Sequence, residues 1–175
     1  MTTAIHRLVA ACRAGTLPQL ITPMASGWAV MGAQQVLEGY SLLLPDPVVP
    51  HLNALDGSAR EQFMSDLARL GDAVLKATGA LRINYAIFGN LEPALHAHVH
   101  PRYENEPPPM RTGNPWAYDW SAAAPFDAVA HGDLRARILR CLAGTMPVDA
   151  AGKAVARLHH IDLTVADLAR STVFY

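Results

Sequence analysis

Apolar residues recur at helical spacing at Ile5, Leu8, Val9 and Cys12, and Gly15 follows as a stop signal. The spacing predicts an amphipathic helix over 3–14. Residues 28–31 (Trp-Ala-Val-Met) and 40–44 (Tyr-Ser-Leu-Leu-Leu) are short apolar runs bounded by Gly32, Glu38-Gly39 and Pro45, and read as strands. Ser58-Ala59-Arg60-Glu61 has the form of a capping box, in which two side chains satisfy the first free amides of a helix. Phe63, Leu67, Leu70, Val74 and Ala77 then step by three and four until Gly79, which predicts a helix with one face laid on a sheet. Leu81, Ile83, Tyr85 and Ile87 alternate with Arg82, Asn84, Ala86 and Phe88, a strand pattern closed by Gly89-Asn90, and residues 95–100 alternate again. Pro101, Pro107, Pro108, Pro109 and Pro115 make the next stretch too Pro-rich for sheet or helix, so it is expected as a surface loop. Leu134, Ile138 and Leu142 predict a further helix, ended by Gly144.

Composition narrows the class. The chain has 175 residues, 51% hydrophobic and 17% charged, which suits a folded domain with its own core. Lys+Arg number 14 against 15 Asp+Glu, so no basic excess exists to neutralise a nucleic-acid duplex. Cys12 and Cys141 form no disulfide framework and no Cys-x-x-Cys knuckle, as expected of a chain in a reducing cytoplasm. No run of apolar residues is long enough to span a membrane, and the first residues do not read as an export signal.

The informative segment is His96-Ala97-His98-Val99-His100. In a strand, side chains alternate faces, so the three imidazoles share one face and Ala97 and Val99 take the other. Random placement of eight His in 175 residues yields roughly 0.02 such triplets, so chance is a weak explanation. Three chemistries compete for this face. A solvated edge strand is the plainest. Zinc is the second, because imidazole suits that metal, although same-face residues on one strand splay in parallel instead of converging. The third is phosphoryl or nucleotidyl transfer, with one His attacking phosphorus and its neighbours orienting it or donating to phosphate oxygens.

Residues 39–45 (Gly-Tyr-Ser-Leu-Leu-Leu-Pro), the capped helix, residues 83–90 (Ile-Asn-Tyr-Ala-Ile-Phe-Gly-Asn) and then His96-Ala-His-Val-His-Pro-Arg102 follow one another in an order and spacing that resembles the histidine triad (HIT) superfamily. The likeness spans roughly residues 5–142, and the triad is its specific part. It implies an α+β fold, an antiparallel sheet with a packed helix, often doubled across a homodimer. It implies a nucleotide substrate, cleavage at the α-phosphorus by His98 through a nucleotidyl-histidine intermediate, support from His96 and His100, and no cofactor or metal. Diadenosine polyphosphates and nucleoside phosphoramidates are the substrate types it suggests. An alternative keeps the fold for nucleotide binding without turnover. Nucleotide contacts are expected from Glu92, Asn90, Asn84, Tyr40, Gln35 and Arg102, the last with a structural alternative in a pair with Glu104 or Glu106. Three positions depart from the family pattern: Glu92 where many members carry Gln, Tyr40 where many carry His, and Gly32-Ala33 where an Asp or Asn is common. Trp116, Tyr118 and Trp120 offer either base stacking or core contact.

The domain is expected over 1–144, with a linker over 145–157. Residues 158–175 alternate at Ile161, Leu163 and Val165, after which Asp167 can cap a helix. This short C-terminal strand-helix extension resembles the opening of the glyoxalase/dioxygenase (vicinal oxygen chelate) superfamily, which implies a metal-ligand position at His160. Its partner ligands are missing from the sequence, so no metal site is expected. A truncated fusion and a terminal strand and helix docked on the first domain are the two readings.

Overall fold

A computed structural model describes residues 2–144. Helix α1 (Ala4–Arg13) starts at Thr3, whose side chain accepts from the His6 amide while His6 Nδ1 accepts from the Thr3 amide, a capping box closed by an imidazole. Strands β1 (Leu20–Met24), β2 (Gly27–Met31) and β3 (Ser41–Pro45) form an antiparallel meander. Helix α2 (Gly57–Thr78) follows, then β4 (Arg82–Ile87) and β5 (Ala97–Arg102). A single helical turn, α3 (Pro108–Arg111), and α4 (Gly132–Gly144) complete the order. All pairings are antiparallel and the sheet order is β1-β2-β3-β5-β4. The described residues belong to a unit spanning Met1–Thr145. The linker expected over 145–157 and the extension over 158–175, with His160, lie outside the described residues.

The two sheet faces have different covers. Phe63, Leu67, Leu70 and Val74 of α2 are buried against Ala29, Met31, Leu43, Ala97 and Val99, together with Leu134, Ile138 and Leu142 of α4. Ile5, Val9 and Cys12 of α1 pack on Val30, Leu44 and Ala94 from the opposite face. Helix α1 therefore roofs only the β2–β3 side of that second face. The remainder, over β5 and β4, is left for the histidines and the loop that follows them.

Several expectations change in detail. The α2 cap is Asp56, not Ser58: Asp56 Oδ1 accepts from the Ala59 amide at 2.8 Å and from Ser58 Oγ at 3.3 Å, so the cap lies two residues before the Ser-x-x-Glu pattern. A carboxylate competes well for that amide and adds negative charge at the positive helix end. Strand β1 has no counterpart in the predicted elements. It holds Pro23 and is an edge strand, where a missing amide hydrogen is tolerated. The Pro-rich stretch is not wholly a loop. Pro101 sits in β5 opposite Ile83, past the last residue paired with β3, so only β4 flanks it. Pro108 and Pro109 open α3, where the first amides have no helical partner to lose. Asp66, fully buried, accepts from the Ser26 amide and hydroxyl, both at 2.8 Å, from Gln62 and from Arg69, tying α2 to the β1–β2 turn.

Candidate functional site

Cross-strand register builds the site. His98 lies between Leu42 of β3 and Ala86 of β4, and His100 lies opposite Asn84. The parity that sends Ala97 and Val99 into the α2 core sends His96, His98 and His100 together to the other face. Ring centroids are 4.8 Å apart for His96–His98 and 5.7 Å for His98–His100.

Each imidazole has a different environment. His96 Nδ1 lies 2.8 Å from the Ala94 carbonyl, which can only accept, so in the neutral ring this nitrogen is the protonated one and Nε2 the lone-pair nitrogen. His98 Nδ1 lies 2.6 Å from the Tyr40 hydroxyl. His100 is fully buried, and neither of its ring nitrogens has a hydrogen-bond partner among the described residues. It stacks face to face on Tyr40 at 4.6 Å. Burial foremost, then the nearby His96, pushes the His98 pKa down to about 4. Burial, then His98 and Arg102, pushes His100 down to about 3. Both rings are therefore neutral at pH 7, the state an attacking imidazole requires.

Tyr40 is held on both sides. Gln35 Nε2 donates to the Tyr40 carbonyl at 3.1 Å and to the Gly32 carbonyl at 2.8 Å, and its Oε1 accepts from the Gly39 amide at 2.9 Å. A Cβ on Gly32 would lie 2.1 Å from the Tyr40 ring, so the absence of a side chain at residue 32 is what admits the ring. Gln35 thus latches the β2–β3 connection and is not free to grip a nucleotide.

Two more expected contacts are committed elsewhere. The Glu92 carboxylate accepts from the Ala4 and Ile5 amides at 3.1 and 3.5 Å, at the N-terminus of α1. Partial burial raises its pKa, but bonds from Thr3, Ala4 and Ile5 and the proximity of His96 outweigh that and leave it lowered. Arg102, 4% exposed, forks onto Glu106 through Nε (3.1 and 3.2 Å) and Nη2 (2.9 Å), and donates to the Gly113 and Met110 carbonyls. Glu106 also accepts from the Tyr103 amide and the Tyr118 hydroxyl, each at 2.6 Å. The partner is therefore Glu106, not Glu104, and the guanidinium is spent on anchoring the Pro-rich segment. Asn90 is exposed in the β4–β5 connection.

That anchored segment roofs the triad. Trp116 meets His98 and His100 edge-on at 5.1 and 4.9 Å, and Phe88 meets Trp116 at 4.9 Å. Trp120 sets its ring against Tyr40 at 5.2 Å and donates from Nε1 to the Pro115 carbonyl at 3.1 Å. An open groove of about 440 Å³ runs beside them, lined among others by Asn84, Phe88, His100, Asn114 and Trp116. Phe88 and Asn114 were not among the expected site residues. The signal for Phe88 was present, because it shares the even parity of Asn84 and Ala86, the histidine face. Nothing local marked Asn114. Among the described residues, no three His, Cys, Asp or Glu side chains form a group suited to a metal ion, and no helix is long and apolar enough to cross a membrane.

No family model matches the chain, and no curated protein matches it. Solved structures do. A histidine triad protein from Sinorhizobium meliloti is 23% identical, with a TM-score of 0.60 over 69% of this chain and 87% of that one. One from Marinobacter aquaeolei is 16% identical, with a TM-score of 0.64 over 81% and 97%. A zinc-bound histidine triad family protein from Mycobacterium smegmatis is 17% identical, with a TM-score of 0.58 over 78% and 93%. With its five-stranded antiparallel sheet, packed helices and three-histidine strand face, the chain resembles the histidine triad proteins and has their fold.

Proposed function

We propose that the chain is a HIT-type nucleotide hydrolase or nucleotidyltransferase in which His98 attacks the α-phosphorus. The observation that carries this reading is the triad itself: three imidazoles on one strand face, the middle one neutral at pH 7 and held by Tyr40, beside an open groove. In the first step His98 Nε2 bonds to phosphorus, and the bond to the leaving group breaks with its electron pair going to that group. In the second step water bonds to phosphorus, the P–N bond returns its pair to Nε2, and a nucleoside monophosphate departs. His96, with its Nδ1 proton on Ala94, offers Nε2 as the base for that water's proton. Asn84, Phe88 and Trp116 suit a planar base or leaving group in the groove. A dimer joined along β4 accompanies this reading, since among the described residues β4 is an edge strand that carries exposed Tyr85 and is flanked by exposed Leu81 and Phe88.

A second reading is nucleotide binding without turnover. It is favoured by the commitment of Glu92, Gln35 and Arg102 to structural bonds, which removes three expected ligand contacts. One experiment separates the two. Wild type and His98→Ala are assayed for monophosphate release from adenosine and guanosine phosphoramidates and dinucleoside polyphosphates, with and without chelator. Release by wild type alone, unaffected by chelator, is the expected result. If neither turns over while nucleotide raises the melting temperature of wild type, the enzyme reading falls and binding remains.

A further inference from the structure

We infer that Tyr40 is a tautomer lock: its hydroxyl donates to His98 Nδ1 and holds the ring proton on Nε2, so the resting His98 presents a donor and exchanges tautomer before it attacks. The consequence for attack rests on the proposed reaction, whereas the lock itself is a property of the free protein.

Tyr40 is 5% exposed. Its ring is fixed by the stack on His100, the edge of Trp120 and the space at Gly32, and its backbone by Gln35. The hydroxyl has one protein partner among the described residues, His98 Nδ1 at 2.6 Å. His100 takes no bond from it, because the two rings lie face to face with an interplanar angle of 11° and both His100 nitrogens are unpartnered.

Two arrangements satisfy the 2.6 Å contact. If Tyr40 donates, its proton and the Nδ1 lone pair are both paired, and Nε2–H meets solvent or ligand. If Nδ1–H donates instead, the phenol proton is left in a buried setting without a protein acceptor. Stranding a buried donor shifts an equilibrium by about five- to a hundredfold, so the first arrangement dominates. Attack by Nε2 needs the second. The ring must release its Nε2 proton to solvent and take one up at Nδ1, with no change in its charge. The resting site is thereby a donor to a phosphate oxygen, and covalent attack draws on the minor tautomer.

The test is long-range proton–nitrogen NMR on protein labelled with nitrogen-15 in histidine, at pH 7.5. His98 signals are assigned by their loss in His98→Ala. Wild type is expected to show an unprotonated, hydrogen-bonded Nδ1 and a protonated Nε2. In Tyr40→Phe, which keeps the ring and the stack, the two tautomers are expected to approach equal populations. Formation of nucleotidyl-histidine in a single turnover should rise about three- to fiftyfold, because the attacking tautomer goes from the minor share to about half. A protonated Nδ1 in wild type overturns the inference, as does a tautomer ratio that Tyr40→Phe leaves unmoved. If the NMR result holds but neither protein forms the intermediate, the lock stands and the enzymatic reading falls.

Discussion

Replacing Arg102 by Met should destabilise the protein by about 3 kcal/mol, because it strands the buried carboxylate of Glu106. The magnitude follows from what each partner keeps. Arg102 and Glu106 are 4% and 7% exposed. The guanidinium makes three contacts with the carboxylate and two with backbone carbonyls, all lost in Arg102→Met. Glu106 keeps the Tyr103 amide and the Tyr118 hydroxyl, which places the loss at the low end of the ~3–5 kcal/mol typical of a broken buried pair. Arg102→Met with Glu106→Gln removes both charges. It should be more stable than the sum of the single changes implies, by at least about 1 kcal/mol of coupling. Urea unfolding of the wild type, both single variants and the double variant completes the cycle, and tryptophan fluorescence reads the segment carrying Trp116 and Trp120. Single-variant losses under about 1 kcal/mol, or strict additivity, would refute the claim that this pair anchors the roof of the triad. The pH dependence has a definite sign. Burial raises the Glu106 pKa, but Arg102, Tyr118 and the Tyr103 amide outweigh it and hold the folded value below the ordinary 4.5. The stabilisation is complete above pH 4.5 and is lost as the pH falls through the lowered folded value.

Four further outcomes are expected. His100→Phe, which stacks on Tyr40 without two unpartnered nitrogens, should raise stability by about 1 kcal/mol in urea unfolding; a net loss would show that those nitrogens are satisfied in solution. Because the folded pKa values of His98 and His100 lie near 4 and 3, below the ordinary 6.5, wild-type stability should be full above pH 6.5 and decline as acid titrates the unfolded chain; His100→Phe should lessen that decline, and an unchanged pH profile would count against it. Glu92→Ala should lower stability by about 0.5–1 kcal/mol through the α1 terminus, seen as a lower melting temperature; no change would mean the carboxylate gives that helix nothing. Light scattering should give twice the 18.8 kDa chain mass, with Leu81→Lys, at an exposed position just before β4, weakening the association; a single-chain mass for wild type rules out the dimer.

What the sequence determined by itself was local. The spacing in α1, α2 and α4 followed from the 3.6-residue period, and the shared face of His96, His98 and His100 followed from the two-residue period of a strand. These are consequences of backbone geometry that need no partner. The sheet order, the pairing of His98 with Leu42 and Ala86, and the cover over the triad were decided by tertiary structure. So were the fates of the polar candidates. Glu92 reads in sequence as a residue beside the triad, but its partners are amides 87 and 88 positions away, reached only because α1 packs on that face. Gln35 serves the turn that carries Tyr40, and Arg102 serves the segment that carries Trp116. A charged or amide side chain near a site can bond either to a ligand or to the scaffold, and its residue type is the same in both cases. Which backbone groups arrive unpaired beside it settles the choice, and that is known only once the chain has closed on itself.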